Sequence, residues 1–224
     1  MTLLLSTAYL APIQYYILLA NPDHSGTILF EHFEHYIKQT YRNRCCIYGA
    51  NGKLNLVIPI RHRGDRMVIK DVKISYENNW QKLHWRSIET TYRSSPYFEF
   101  YEDDFAPFYS EKYSYLIDFN EAIQLTVLNL LGLEIRSSST TSYQTEYQDT
   151  IDYRNYFSPK LRTSNFFAIS GKPACPDPVA ETNYTQVFGN NHGFIPNLSI
   201  IDLLFNMGSG ALGYLQTCLP SGQL

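Results

Sequence analysis

The residues best suited to chemistry in this sequence are two arginines and a histidine. Arg42 and Arg44 stand two positions apart, so both side chains project from one face of an extended segment. Two guanidinium groups placed in this way can hold a phosphate or carboxylate in fork geometry, although the same pattern also occurs on charged, solvated strand edges. His84 is the best-placed general base, because the pKa of imidazole lies near neutrality. The alternative for His84, a hydrogen-bonded core residue, stays open.

Asp202 is a further candidate, because it falls in the first turn of a predicted helix that begins at Ser199. The Ser199 hydroxyl can cap that helix, and a carboxylate in the first turn is stabilised by the helix dipole. Asp202 therefore either orients a catalytic group or only stabilises the helix. The sequence shows no Gly-flanked serine elbow, glycine-rich phosphate loop or dinucleotide fingerprint, which counts against kinases and ordinary dehydrogenases.

A metal site is an alternative interpretation of the segment that contains Glu31, His32, Glu34 and His35. The alternating residues around these side chains favour a strand, on which the two histidines point to opposite faces and do not converge on one ion. The chain has four cysteines, Cys45, Cys46, Cys175 and Cys218. They lack the spacing of a structural zinc site. We predict reduced thiols and no metal.

Charge is distributed unevenly along the chain. Between Lys38 and Arg93 there are 12 Lys and Arg but 4 Asp and Glu, whereas the formal net charge of the whole chain is −3. This local excess of positive charge predicts a surface that receives an anion. Basic and aromatic residues also interleave here, but the sequence pI of ≈ 6.1 is low for a dedicated nucleic-acid-binding domain. We therefore predict a small anionic partner and no nucleic acid.

The elements that must position these residues begin with an uncharged N-terminal segment. Leu3 to Leu5 predicts a buried strand, and Pro12 marks the first turn of a helix that runs to about Ala20. No Lys or Arg precedes the apolar run, and Pro12 divides it, so it lacks the features of a signal peptide or a membrane span. We predict a cytoplasmic protein with no membrane span.

Alternating apolar and polar residues predict the remaining strands. Residues 44–48 and 54–60 flank Asn51 and Gly52, the dipeptide most typical of a tight hairpin. The other predicted strands are residues 26–36, 68–76, 133–135, 166–170 and 184–188. The polar run 137–142 is predicted to be a mobile loop.

Helices are predicted where the apolar spacing changes to three or four residues. One runs from Trp80 to Tyr92, a second through residues 98–105, and a third over 118–131, where Gly132 ends it. The last begins at Ser199 and ends at Gly208. Together the elements predict an α/β or α+β fold: one layered domain over residues 1–208, with a mixed sheet, an Asn-Gly hairpin and flanking helices. Residues 209–224 are predicted to be a C-terminal extension.

Several short motifs follow one another along most of the chain. They are Tyr9-Leu10-Ala11-Pro12 with Tyr15-Tyr16, Arg42-Asn43-Arg44, residues 56–60, residues 80–85, Tyr92 with Pro96-Tyr97-Phe98, residues 131–133 leading to Ser137-Ser138, Tyr184-Thr185-Gln186, and residues 198–206. In order and spacing they resemble the WbqC-like protein family of bacterial surface-polysaccharide gene clusters. Many members of that family carry His-Gln-Pro-Asn-Tyr where this chain has Ser6-Thr7-Ala8-Tyr9, so chemistry that uses that histidine cannot proceed in the same way here.

The resemblance implies a cytoplasmic step on a nucleotide-activated sugar, such as transfer of an acyl or aminoacyl group to a sugar amine. Under this hypothesis Arg42 and Arg44 bind the diphosphate, and His84 and Asp202 are the catalytic residues. The other candidate substrate-binding residues are Tyr9, Tyr16, Asn43, Tyr92, Ser137, Ser138, Gln186 and Asn206. We expect Arg44, His84 and Asp202 to converge on one deep pocket. The alternative is a non-catalytic protein that binds a glycan or nucleotide sugar of the same pathway. The sequence leaves cofactors and oligomeric state unknown.

Overall fold

A four-stranded parallel sheet joins two N-terminal strands to two strands from the second half of the chain. The computed structural model describes residues 2–21, 27–61, 66–159 and 183–219, so the predicted strand at 166–170 and Cys175 lie outside the described residues. The sheet contains four strands in the order β5-β2-β1-β6: β1 (Thr2–Ser6), β2 (Ile28–Glu31), β5 (Ser137–Ser139) and β6 (Thr150–Asp152). All three pairs of neighbouring strands are parallel. Their carboxyl ends therefore meet at one edge of the sheet.

The central strand β1 confirms the prediction for the N-terminal segment. Leu3, Leu4 and Leu5 are buried, as expected for a strand with neighbours on both sides. The helix α1 (Ile13–Leu19) follows directly after Pro12, where the sequence predicts it. Between the two elements the chain turns over residues 7–12, and Leu10 adopts a φ of 41°.

The Asn-Gly hairpin forms a second, separate sheet. Its strands, β3 (Arg44–Gly49) and β4 (Gly52–Val57), pair in antiparallel fashion, and Gly52 has a φ of 100°. The hairpin does not join the parallel strands, so the predicted mixed sheet is two sheets, one parallel and one antiparallel. The predicted strand over residues 68–76 is wrong: it contains a 3-10 turn (Ile69–Asp71) and only isolated bridges.

Six further helices follow the hairpin in the described parts of the chain. They are α2 (Trp80–Tyr92), α3 (Phe98–Phe105), α4 (Leu116–Leu131), α5 (Gly189–His192), α6 (Ile200–Met207) and α7 (Ala211–Thr217). The predictions for α2, α3, α4 and α6 are confirmed in position. Gly132 ends α4 in the left-handed conformation, with a φ of 69°, as its place after the last apolar residue predicts.

Two predictions near the C-terminal half are wrong in detail. Residues 133–135 form no strand, whereas the polar run that follows them supplies β5 at the edge of the parallel sheet. Residues 184–188 also form no strand. After α6, the helix α7 buries Ala211, Tyr214 and Leu215 and contacts both α1 and α6. In the described ranges of the chain, no helix has the length and apolar character needed to cross a membrane.

Candidate functional site

A narrow, partly open cleft lies at the carboxyl edge of the parallel sheet, and the space between its walls is about the size of one water molecule. Its lining residues are Ser6, Thr7, Ala8, Tyr15, Tyr41, Arg42, Tyr153, Arg154 and Phe157. Several of them directly follow β1 and β6, and in α/β proteins ligands bind at the carboxyl ends of parallel strands. Four aromatic rings and two guanidinium groups therefore surround the place where this fold type most often binds a ligand.

Arg42 lines the cleft and is held by a buried ion pair with Glu34. Its Nε donates to Oε1 of Glu34 at 2.8 Å, and its Nη2 donates to Oε2 at 2.6 Å. Nη2 also donates to Oγ of Ser6 at 2.8 Å. No acceptor for Nη1 of Arg42 is found among the described residues. The carboxylate thus neutralises Arg42 and fixes its orientation, and Nη1 stays available to a ligand.

Arg154 forms the second charged group at this edge. Its Nη1 donates to Oε2 of the fully buried Glu31 at 3.0 Å, and its Nη2 donates to Oδ2 of Asp152 at 2.6 Å. The rings of Tyr143 and Tyr147 lie over its guanidinium group, 5.1 and 5.7 Å from the central carbon. Arg42 and Arg154 are thus matched by three carboxylates, so this edge carries no excess of positive charge.

Thr7 is the exceptional polar residue of the cleft. It is fully buried, and its Oγ1 has no hydrogen-bond partner among the described residues. A buried hydroxyl without a partner costs about 1–3 kcal/mol, so such groups are rare in folded proteins.

His84 lies in a different place, inside an aromatic cluster. Its Nδ1 is 3.1 Å from the hydroxyl of Tyr9, which is 2.8 Å from the hydroxyl of Tyr109. The Trp80 ring packs edge-on against the imidazole with 5.0 Å between centroids. Burial lowers the pKa of His84 to about 4, despite the opposing hydrogen bond between the ring and the Val57 backbone. His84 is therefore neutral near pH 7, and it has the environment of a hydrogen-bonded core residue.

Asp202 forms a third cluster, on α6. The carboxylate is fully buried and accepts hydrogen bonds from the hydroxyl of Tyr92 (2.8 Å), the hydroxyl of Tyr184 (2.5 Å) and Nε2 of Gln186 (3.0 Å). Burial raises the pKa of Asp202, although these donors oppose the rise. The predicted hydroxyl cap is not formed, because Ser199 instead donates to the backbone oxygen of Leu10.

The expected convergence of Arg44, His84 and Asp202 is not present in the structure. The thiol of Cys45 hydrogen-bonds Tyr9, which belongs to the His84 cluster. The thiol of the next residue, Cys46, lies near Asp202: burial is the largest cause that raises the pKa of this thiol, and the Asp202 carboxylate raises it further. Neighbouring residues of a strand point to opposite faces, so β3 separates the two clusters. The Nε of Arg44 is buried and has no hydrogen-bond partner among the described residues, which include both clusters.

Comparison with known proteins gives the family. The sequence model of the WbqC-like protein family matches residues 7–214. The chain belongs to the WbqC-like protein family. An uncharacterised protein of Mycobacterium tuberculosis (strain ATCC 25618 / H37Rv) is 28% identical to it, over 82% of this chain and 84% of the relative. No solved structure matches the chain. The match to the WbqC-like family begins at Thr7, and so includes both buried clusters and every lining residue of the cleft except Ser6.

The other predicted site residues of this WbqC-like chain fall outside the cleft. Tyr16 is buried in α1, and Asn43 donates to the backbone oxygen of Ile58 at 2.8 Å. Asn206 donates to the backbone oxygen of Asp202, one helical turn away. Ser137 and Ser138 are exposed residues of β5.

Sequence reasoning missed most of the cleft. From the sequence, Glu31 and Glu34 are considered as possible metal ligands and not as residues near a cleft. Thr7 and Arg154 are not among the predicted site residues. The available signal was positional and was used only in part: the turn 6–12 after the predicted first strand falls where α/β proteins often bind ligands, whereas Glu31 at the end of β2 and Arg154 after β6 were not connected with it. Within the ranges that the structure describes, no group of three metal-ligating side chains is found.

Proposed function

We propose that the protein is a transferase that acts on a nucleotide-activated sugar in surface-polysaccharide biosynthesis and moves an acyl or aminoacyl group to a sugar amine. The observation that carries this proposal is the cleft at the carboxyl edge of the parallel sheet, with its aromatic walls and its unused hydrogen-bond donors. Family membership supports the sugar pathway, because relatives are associated with surface-polysaccharide gene clusters.

The aromatic residues of the cleft suit a sugar or a base. Tyr15, Tyr41, Tyr153 and Phe157 provide ring faces and edges against which an apolar face of a sugar or the plane of a base can pack. Burial raises the pKa of Tyr41 to about 12, so its phenol stays protonated near pH 7 and acts as a hydrogen-bond donor. The contribution of these residues to catalysis is to bind and orient the substrate.

A second candidate function, a binding protein without catalysis, is favoured by one specific observation. The carboxylates of Glu31, Glu34 and Asp152 at this edge are all held in ion pairs with arginine, and His84 lies in a separate buried cluster. Each of the obvious acid–base groups therefore already has a structural partner. Product formation distinguishes this candidate from the transferase.

The test combines binding with turnover. We expect UDP- or dTDP-linked sugars to bind in titration calorimetry, and an acyl-CoA or aminoacyl donor added with a nucleotide amino sugar to give an acylated product in mass spectrometry. Phe157→Leu removes an aromatic wall but keeps an apolar side chain, and should weaken binding by about 2- to 10-fold. Phe100→Leu, at a site that is 76% exposed on α3, is the matched control.

The possible results separate the two functions. Binding with product formation supports the transferase, and binding without product from any donor supports the binding protein. Equal affinities of wild type and Phe157→Leu would remove the cleft from either function. Arg42→Ala is unsuitable here, because it leaves the Glu34 carboxylate buried and unpaired, so that lost binding could reflect lost folding.

A further inference from the structure

A histidine and a glutamate outside the cleft lining form a pair at the same edge of the parallel sheet. His32 directly follows β2, and its Nε2 lies 2.5 Å from Oε1 of Glu121 on α4. The exposed fractions of the two side chains are 19% and 39%, so both can be reached from solvent. In α/β proteins ligands bind outside the carboxyl ends of parallel strands, and β2 places this pair at such an end.

Three hydrogen bonds connect this pair to the lining of the cleft. The backbone nitrogen of His32 donates to Oγ1 of Thr140 at 3.0 Å, and that hydroxyl donates to Oε1 of the buried Glu31 at 2.8 Å. Oε2 of Glu31 accepts from Nη1 of the lining residue Arg154 at 3.0 Å. The backbone oxygen of His32 also accepts from the backbone nitrogen of Lys70. The backbone that carries the imidazole is thus held on both sides.

The Glu121 carboxylate determines which nitrogen of the imidazole can act as a base. A carboxylate only accepts hydrogen bonds, so Nε2 of His32 carries the hydrogen and Nδ1 carries a lone pair. Nδ1 has no hydrogen-bond partner among the residues that the structure describes. Asp118, one turn earlier on α4, is a second carboxyl group nearby: burial raises its pKa, Glu121 raises it further and His32 opposes the rise. A carboxylate in this position stabilises the imidazolium that forms when the histidine accepts a proton.

The ion pairs of the cleft engage their carboxylates fully, whereas the bond between His32 and Glu121 leaves one imidazole nitrogen unused. A base needs such a nitrogen together with a partner that orients the ring. From these observations we infer that His32 is the general acid–base residue of the proposed acyl transfer and that Glu121 is the residue that positions it. The inference rests on the proposed function for the identity of the reaction.

Acyl transfer to an amine requires a base that accepts one proton and later returns it. The sugar amine attacks the carbonyl carbon of a thioester or ester donor, so that a C–N bond forms and Nδ1 of His32 takes a proton from the nitrogen. The C–S or C–O bond to the carrier then breaks, and His32 gives that proton to the departing sulfur or oxygen. Nε2 keeps its hydrogen bond to Glu121 throughout, and His32 ends the step in the state in which it began.

The experiment measures kcat and KM for acyl transfer by mass spectrometry. The donors are acetyl-CoA and glycyl-CoA, and the acceptors are UDP-glucosamine and free glucosamine. His32→Gln should lower kcat by about 10²–10⁴-fold, the usual contribution of general acid–base catalysis, and should leave KM within about 3-fold of wild type. Glu121→Gln should lower kcat by about 10-fold or more, because an amide can hold the imidazole in the other tautomer.

Two further measurements separate a catalytic role of His32 from a structural one. Added imidazole should restore part of the activity of His32→Ala, because it replaces the missing base, and a structural role would not respond to it. The thermal midpoint of His32→Gln should stay close to that of wild type, because partly exposed ion pairs contribute little to stability. The matched controls are His35→Gln, at an exposed histidine of the same segment, and Glu102→Gln, in another partly exposed ion pair; both should keep the wild-type kcat.

Different results overturn the inference and the proposed function. If wild type acylates UDP-glucosamine and His32→Gln does so with an unchanged kcat, or if imidazole restores nothing to His32→Ala, the inference is wrong while the proposed function stands. If product forms from free glucosamine but not from UDP-glucosamine, and depends on His32 as expected, the nucleotide-linked substrate is wrong and the assignment of His32 stands. If wild type forms no product from either donor, both are wrong.

Discussion

Acidification should destabilise the protein through His84. In the folded protein the pKa of this side chain is lowered from 6.5 to about 4, because burial among aromatic rings disfavours the charged imidazolium. In the unfolded chain the same side chain is hydrated and has its ordinary pKa. The unfolded state therefore binds the proton more tightly, so the stability that the neutral ring confers is complete above pH 6.5 and is lost as the pH falls toward 4.

The size of the effect follows from the two pKa values. Their difference corresponds to about 3 kcal/mol once the pH is below both values, and most of this is already lost at pH 4.5. Asp202 acts in the opposite direction: burial raises its pKa, so the folded state takes up its proton more readily than the unfolded state as the pH falls. The pH dependence of wild type alone therefore does not isolate His84.

A comparison with His84→Gln isolates it. Urea unfolding of both proteins at pH 7.5 and pH 4.5 gives four free energies of unfolding. The variant loses the packing of the imidazole against Tyr9 and Trp80, so it should be less stable than wild type at pH 7.5. Because glutamine does not titrate, this difference should shrink by about 2–3 kcal/mol at pH 4.5. NMR titration of the imidazole in the folded protein provides a direct check. An imidazole that titrates near 6.5, or parallel losses of stability in the two proteins, would refute the argument.

Four other substitutions test the structure by urea unfolding. Glu34→Gln leaves the buried Arg42 without its counter-charge and should lower the free energy of unfolding by about 3–5 kcal/mol; a loss below 1 kcal/mol would mean that the pair is not buried as described. Asp202→Asn replaces an acceptor for three donors by a group that is itself a donor, and should cost about 1–3 kcal/mol at pH 7; the difference from wild type should grow at low pH, because the raised pKa of the native carboxyl means that protonation stabilises folded wild type and the variant has no such group. Gly208→Ala should be strongly destabilising, because the φ of 56° is left-handed and a Cβ at this position would overlap the ring of Tyr97. Gly213→Ala lies in α7 with open space around it and should stabilise the protein by about 0.5–1 kcal/mol. Equal effects of the two substitutions would contradict this local geometry.

The helices were predictable because their signals are local. In α4 the apolar residues repeat every three or four positions up to Gly132, and both the periodicity and the stop signal are contained in one stretch of sequence. The strand β5 gave no such signal, because its three serines are exposed at the sheet edge and are extended only by pairing with β2. Residues 68–76 show the reverse case. Their alternation is real, since Val72 and Ile74 are buried and Lys73 is exposed, but no strand pairs with them along their length.

The site was less predictable, because its contacts join residues that are far apart in sequence. Arg154 pairs with Glu31 across 123 positions, and the hydroxyl of Tyr92 reaches Asp202 across 110. Local reasoning interpreted Asp202 as a residue of the first helical turn, which it is, but could not find its donors. For the same reason Arg42 and Arg44, two positions apart, indicated an anion site. Glu34, whose carboxylate neutralises Arg42, was considered as a possible metal ligand and not as the partner of that arginine.

The loop after β1 connects the cleft to both buried clusters. Ser6 contacts Arg42 in the cleft, Tyr9 hydrogen-bonds His84, and the backbone oxygen of Leu10 accepts from Ser199 at the start of the helix that carries Asp202. Leu10 has a φ of 41°, which is unfavourable for a branched side chain and persists only where the surroundings impose it. Both contacts to the buried clusters lie after Thr7, at Tyr9 and Leu10, and the contact of Ser6 with Arg42 lies before it. The loop is therefore fixed on one side by the cleft and on the other by the clusters that contain His84 and Asp202.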